Sequence, residues 1–169
     1  MRVLYEEGIA GVRVERLAKD LGTSRSGFYW HFKDGRDLEM QLLEYWAHEY
    51  TDVVSENPEL RLVEPRKRLA RVAELALEHD LSGYDLAFVA WAEHDPEVAK
   101  RVAKVVQRRL DYVEQALAEL GITGDEAEFR RRIFILYLGW EGKTYPDLTA
   151  KRRRVLRDRL VELVTAPTE

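Results

Sequence analysis

Residues 14–32, VERLAKDLGTSRSGFYWHF, decide how this chain is read. Val14, Leu17, Ala18 and Leu21 recur at i, i+3, i+4 and i+7, which places them on one stripe of a helix. Gly22 follows where a helix needs a C′ residue that takes positive φ at little steric cost. Ser24 suits the N-cap of a second helix, its hydroxyl accepting from a free backbone amide. That helix is predicted from about Arg25 to Trp30. Ala18 is small, as it must be where two steeply crossing helices bring their backbones together. The outline is a helix-turn-helix, a motif whose second helix enters the major groove of DNA.

The second helix has the chemistry for that use. Thr23, Ser24, Arg25, Ser26 and Gly27 offer small or hydrogen-bonding groups where a buried helix would offer Leu or Ile. Arg25 can fork onto guanine, and Thr23 and Ser26 can bond several base edges or phosphate. Gly27 weakens a helix interior by about 1 kcal/mol relative to Ala, which suggests close approach of something to the backbone. Tyr29, His31 and Lys33 follow at alternate positions, each able to reach a phosphate. Phe28 and Phe32, at i and i+4, point back into the small core. The alternative is a helical hairpin inside a larger bundle, with an incidental Gly- and Ser-rich turn.

The stretch LAKDLGTSRSGFYWHFKDGRDL resembles the TetR family of bacterial transcriptional regulators. The likeness rests on the Leu-Ala pair, the Gly-x-Ser turn and the Tyr-x-His-Phe-Lys ending, and it covers about residues 1–46. It implies that Thr23 to Gly27 face bases and phosphates, and that Tyr29, His31 and Lys33 hold phosphate; Arg13 joins this DNA-binding set by its charge, which clusters with Arg25, Lys33 and Arg36 around the motif. The sequence departs from the family in three places. Only RVLYEEG stands for the first helix, so that helix is either trimmed or preceded by further residues. Val12 or Arg13 replaces a phosphate-binding threonine, and Gly35 replaces a common lysine.

Composition frames the rest. The 169 residues are 46% hydrophobic and 34% charged, values of a globular chain able to bury a core. There is no cysteine, hence no disulfide framework and no zinc–thiolate site. No apolar run is long enough for a membrane span, and no signal-peptide core stands at the N-terminus, so a cytoplasmic protein is expected. The net charge of -4 argues against coating nucleic acid by charge alone. Its distribution is uneven, at -1 over residues 1–46, -7 over 47–99 and +4 over 100–169.

Helical periodicity continues to the C-terminus. A linker helix is predicted from about Arg36 to Ser55, capped by Asp34 or Asp37, striped by Leu38, Leu42, Tyr45, Trp46, Tyr50 and Val53, and ended by Asn57-Pro58. Pro65 opens the next helix, which Ser82-Gly83 is read as breaking. YDLAFVAWAEHD is apolar all round, as a buried helix is. Asp95 and Pro96 start a long helix that closes at Gly121, and two more run from about Asp125 to Tyr145 and from Thr149 to Thr165. No alternating β-pattern occurs. The expected fold is all-α with about nine helices. Residues 1–46 form the DNA-binding head with the start of the linker helix, and residues 47–169 form a helical ligand-binding and dimerisation body.

The family likeness further implies that the last two helices build a four-helix interface in a homodimer, placing two heads about 34 Å apart on a palindromic operator. It also implies an effector site among the central helices. Tyr84, Phe88, Trp91, Tyr112, Tyr137 and Trp140 are the candidate ligand residues, against the alternative that they are core. An apolar or aromatic effector suits such a site better than a highly charged one. Glu93-His94-Asp95 is no metal site, because adjacent residues point different ways on a helix, and no cofactor is implied. Phosphate loops, metal-protease motifs and nucleophile elbows are all missing, so the chain is not expected to be an enzyme. The expected function is a transcriptional regulator, a repressor released by a small ligand. The alternative is a helical dimer that keeps the ligand and has lost sequence-specific DNA binding.

Overall fold

The computed structural model describes residues 1–168, and among them every regular element is helical. Helix α1 spans Arg2–Glu7 and leads through a 3-10 turn, Ile9–Gly11, into α2, Val14–Asp20, and α3, Arg25–His31. Helix α4 starts as Gly35–Ala47, passes through a π-helical segment, His48–Asp52, and ends as Val53–Ser55. Then come α5 (Pro58–Arg61), α6 (Pro65–Glu78), α7 (Leu81–Ala92), α8 (Pro96–Glu119), α9 (Gly124–Thr144) and α10 (Ala150–Val164). The helix beyond the expected count is α5, a single turn started by Asn57, whose side chain accepts from the Glu59 and Leu60 amides.

Local chemistry accounts for most boundaries. Gly22 has φ 65°, the Thr23 amide donates to the Ala18 carbonyl at 2.9 Å and the Gly22 amide to Lys19 at 3.1 Å. These two bonds make a Schellman motif that closes α2. Ser24 caps α3 by accepting from the Gly27 amide at 3.0 Å. Asp34 accepts from the Asp37 amide at 2.8 Å while Asp37 accepts from the Lys33 amide at 2.9 Å, a reciprocal arrangement akin to a capping box.

Three expectations need correction. The break before α7 lies at Asp80, which takes a left-handed conformation with φ 45°, and not at Ser82-Gly83. Those two residues are buried in the first turn of α7, where a Cβ on Gly83 would stand 1.9 Å from the Tyr5 ring. The small residue there serves the close approach of α1. Leu21 leaves its stripe and is 75% exposed, because α2 ends at Asp20 and the chain is already turning. In α4, Tyr45 and Val53 are about half exposed: Tyr45 lies beside the buried face, which runs through Leu38, Leu43, Trp46 and Ala47, and Val53 follows the π segment, whose extra residue turns that face.

Two apolar cores meet along α8. The first joins the head to the body: Val3, Leu4, Val12, Val14 and Phe28 cluster with Leu38, Leu43 and Trp46 of α4, Phe88 and Trp91 of α7, and Val98, Val102 and Val105 of α8. The second draws on α6, α8, α9 and α10, around Leu69, Val113, Leu117, Phe134, Leu160 and Val164. The head therefore packs into the same apolar cluster as the central helices, through α4 and α7.

Candidate DNA interface and ligand cavity

The surface of α3 carries the residues that the sequence assigns to DNA. Thr23, Ser24, Arg25, Ser26, Tyr29, His31 and Lys33 are all exposed, while Phe28 is 4% exposed and packs on Phe32 with ring centroids 4.8 Å apart. Several of these groups already have partners. Arg25 lies 2.9 Å from Glu15. Ser24 shares a hydrogen bond with Ser26 at 2.9 Å in addition to its capping role. Arg13 donates through Nε to the Ala10 carbonyl at 3.1 Å and caps α2 with no side-chain bond. Gly27 has an explanation inside the chain, since a Cβ there would come 2.7 Å from Thr23 Oγ1. Trp30, absent from the sequence-derived set, is 86% exposed on the same short helix. Its position two residues from Phe28, on the opposite face, was the available signal.

Helix α4 connects this surface to a cavity in the body. The cavity encloses about 70 Å³ and is walled by Tyr50, Thr51, Val54 and Ser55 of α4, with Val72, Leu75 and Ala76 of α6, Leu81 and Asp85 of α7, Arg109, Tyr112 and Val113 of α8, and Ile135 and Leu138 of α9. One polar network crosses its apolar wall. Arg109 donates to Asp85 from Nη1 at 2.5 Å and from Nη2 at 3.2 Å, and from Nε to Thr51 Oγ1 at 2.8 Å. Trp46 Nε1 donates to the same carboxylate at 2.9 Å, and the Arg109 guanidinium lies 5.4 Å from the Trp46 ring centroid. Thr51 belongs to the π segment, and its neighbour Asp52 pairs with Arg108. Two consecutive arginines of α8 thus hold the irregular turn of the linker helix.

The six aromatic candidates fall in three places. Tyr112 lines the cavity; its hydroxyl is buried without a partner among the described residues, and burial raises its pKa above the ordinary tyrosine value. Tyr84, Phe88 and Trp91 belong to the first core. Tyr84 stacks on Tyr50 at 5.5 Å, Phe88 on Trp46 at 4.5 Å, and Trp91 lies beneath Arg36 at 5.8 Å. Tyr137 lines an open groove between α9 and α10, and Trp140 is 53% exposed. Arg109, Asp85 and Thr51 are polar wall residues that the aromatic pattern of the sequence does not reveal. A lone acid in the otherwise apolar YDLAFVAWA was the clue to Asp85.

Residues 1–38 match the family model described as bacterial regulatory proteins of the tetR family. The helix-turn-helix head is thus similar to that of the tetR family. Among solved structures, the likeness of fold extends over the whole chain. The transcriptional regulator FadR from Bacillus subtilis, solved in complex with stearoyl-CoA, superposes with a TM-score of 0.71 at 17% identity over 99% of this chain and 95% of that one. The fatty acid degradation regulator FadR from Bacillus halodurans gives 0.71 at 16% identity over 99% and 91% of the two chains. At such identity the likeness is one of fold. A search of curated proteins finds no significant match.

Charged contacts seat the helix-turn-helix head on the body. Arg36, at the start of α4, donates to Asp95 at 2.5 Å and to Glu97 at 2.8 Å, and the hydrogen bond from Arg36 holds the Asp95 carboxyl below its ordinary pKa. Asp95 also caps α8 through the Glu97 and Val98 amides. Arg101 grips Glu44 with two bonds, at 2.8 and 2.7 Å. Among the described residues, no helix is long and apolar enough to cross a membrane, and no group of three or more His, Cys, Asp or Glu is placed to hold a metal ion.

Proposed function

We propose that the protein is a TetR-type DNA-binding transcriptional regulator, a repressor that acts as a homodimer and is released by a small apolar ligand. The observation that carries this reading is the course of α4. One helix joins the exposed α3 surface to the cavity, and its π segment forms one wall. A ligand entering the cavity displaces that wall and with it the head, so DNA and ligand compete through two shapes of one dimer. Residues 1–46 act as the head and 47–169 as the body.

The ligand class follows from the wall. Drug-sized sites enclose about 300–1,000 Å³, so the resting cavity of about 70 Å³ must widen, and its apolar sides favour a flexible chain. Arg109 and the Tyr112 hydroxyl supply donors for one polar end. Since a protein of like fold was solved with stearoyl-CoA, a long-chain acyl compound is the first to test.

Dimerisation rests on the outer face of α9 and α10. Phe129, Leu136, Trp140, Val155 and Leu163 are exposed there, beside a groove lined by Ile133, Leu148, Leu156 and Leu160. A contiguous apolar surface of this kind marks an interaction site.

The deciding experiment is selection of bound sequences from a random duplex pool, followed by titration of the bound complex with stearoyl-CoA and free stearate. Enrichment of a palindrome with half-sites about one helical turn apart, and its release by either lipid, is expected. A dimer that enriches nothing points to the second reading, a ligand-binding TetR-like dimer without sequence-specific DNA binding. The pairing of Arg25 with Glu15 is the observation that favours it.

A further inference from the structure

We infer that Tyr5 clasps the head to the start of α7, opposite its attachment through α4, and so makes widening of the apolar cavity turn the head. The inference rests on the ligand-released reading above and names how that signal is carried. Two walls of the cavity belong to helices that hold the head. Tyr50, Thr51 and Val54 stand on α4, and Leu81 and Asp85 stand on α7. Tyr5 of α1 donates its hydroxyl to Asp80 Oδ2 at 2.5 Å. Its ring lies on Gly83, where a Cβ would come within 1.9 Å, and meets Tyr84 edge-on with centroids 5.2 Å apart. From this contact two short links reach the cavity. Leu81, in the wall, is the residue after Asp80, and Tyr84 stacks on the wall residue Tyr50.

The turn that Tyr5 holds is also the strained point of the chain. Asp80 has φ 45° and is the one non-glycine residue with positive φ among the described residues. That conformation is costly for any side chain, although Asp tolerates it better than most. Such outliers persist where the surroundings over-determine them. Here Tyr5 bonds one carboxylate oxygen and Ser82 the other, at 3.0 Å. The bond to Asp80 raises the Tyr5 pKa to about 12, so the hydroxyl remains a donor at neutral pH. Val3 and Leu4 pack α1 into the first core as well. Apolar contact is non-directional and tolerates sliding, whereas the Tyr5 bond fixes α1 to one turn. A ligand that parts the α7 wall from the α4 wall therefore draws two anchors of one head apart, and a rigid head held at diverging points rotates. Tyr5 lies outside the cavity wall and acts by positioning the head.

The test uses the full chain, the operator enriched in the selection above and stearoyl-CoA. Operator Kd is measured without and with saturating stearoyl-CoA, and the ratio of the two is the coupling between the sites. Tyr5→Phe, which keeps the ring and removes the hydroxyl, should lower that ratio by about fivefold or more. Operator Kd without ligand, and stearoyl-CoA Kd without DNA, should each stay within about threefold of the parent, a split that a general loss of structure would not give. Asp80→Gly is the second variant, because glycine takes the same φ without strain and leaves the Tyr5 hydroxyl no acceptor. It should lower the ratio as far, and it decides the matter should Tyr5→Phe fail to fold. An undiminished ratio in either folded variant overturns the inference and leaves the regulatory reading standing. A parent whose operator Kd does not respond to stearoyl-CoA overturns both.

Discussion

Arg25 stands at the start of α3 with its side chain 66% exposed and a single acidic neighbour, Glu15. If it reads a base, Arg25→Ala should weaken binding to the selected operator by about 1–3 kcal/mol and leave binding to random duplex nearly unchanged. Fluorescence anisotropy at two salt concentrations measures both, and an equal loss on the two duplexes would remove Arg25 from base recognition. Asp95 offers a test of another kind. Its pKa is lowered in the folded chain, so its contribution is fully present above the ordinary carboxylate value, about 3.9, and is lost as pH falls through the lowered value. Asp95→Asn retains an oxygen for the cap and discards the charge. The variant should be less stable than the parent at neutral pH, and the gap should begin to shrink below about pH 4 and close as pH falls past the lowered value, as followed by circular dichroism. A gap that persists in acid would show that the Arg36 pair contributes nothing. At this scale the sequence was legible where one residue type has one local job: Gly22, Ser24, Asp34 and Asp95 all do what their chemistry predicts. It was not legible where the partner is distant in sequence. Nothing in the order of residues shows that Arg109 meets Asp85 and Thr51, or that Gly83 leaves room for Tyr5.

At the scale of elements, the caps and prolines mark the starts of α6, α8 and α10 because those signals act within one turn. The π segment escaped notice because the apolar spacing runs on past it through Tyr50 and Val53, and only the exposure of Val53 shows that the buried face has turned to Thr51 and Ser55. Its anchorage is testable. Thr51→Val removes the acceptor of Arg109 Nε while keeping the side-chain volume, and should cost about 1–2 kcal/mol in urea unfolding. Asp85→Ala strands the guanidinium and the Trp46 indole together. With both charged side chains about 15% exposed, a loss of about 2–3 kcal/mol is expected, under the 3–5 of a fully enclosed pair. If Thr51→Val proves as damaging as Asp85→Ala, the hydroxyl rather than the ion pair holds the turn. The boundary at Ser82-Gly83 was misread because small residues serve both turns and close packing, and only the position of α1 tells which.

For the molecule as a whole, the outer face of α9 and α10 makes the assembly prediction. Leu136→Glu or Leu163→Glu places a charge on a side chain that is 60% or 62% exposed in the single chain. Neither should disturb folding, and both should convert a dimer to a monomer in sedimentation at micromolar concentration. A parent chain that sediments as a monomer would refute the proposed assembly outright. The all-helical fold and its head were readable from periodicity, but the aromatic residues could not be sorted among core, cavity and outer face, since all three give the same spacing along a helix. The cavity, finally, has a bearing on time rather than on affinity. A space of about 70 Å³ admits no long chain until its walls part, so the walls and not the ligand should set the pace. In stopped-flow mixing, the observed association rate should level off as ligand concentration rises, and acyl chains of different length should reach the same plateau.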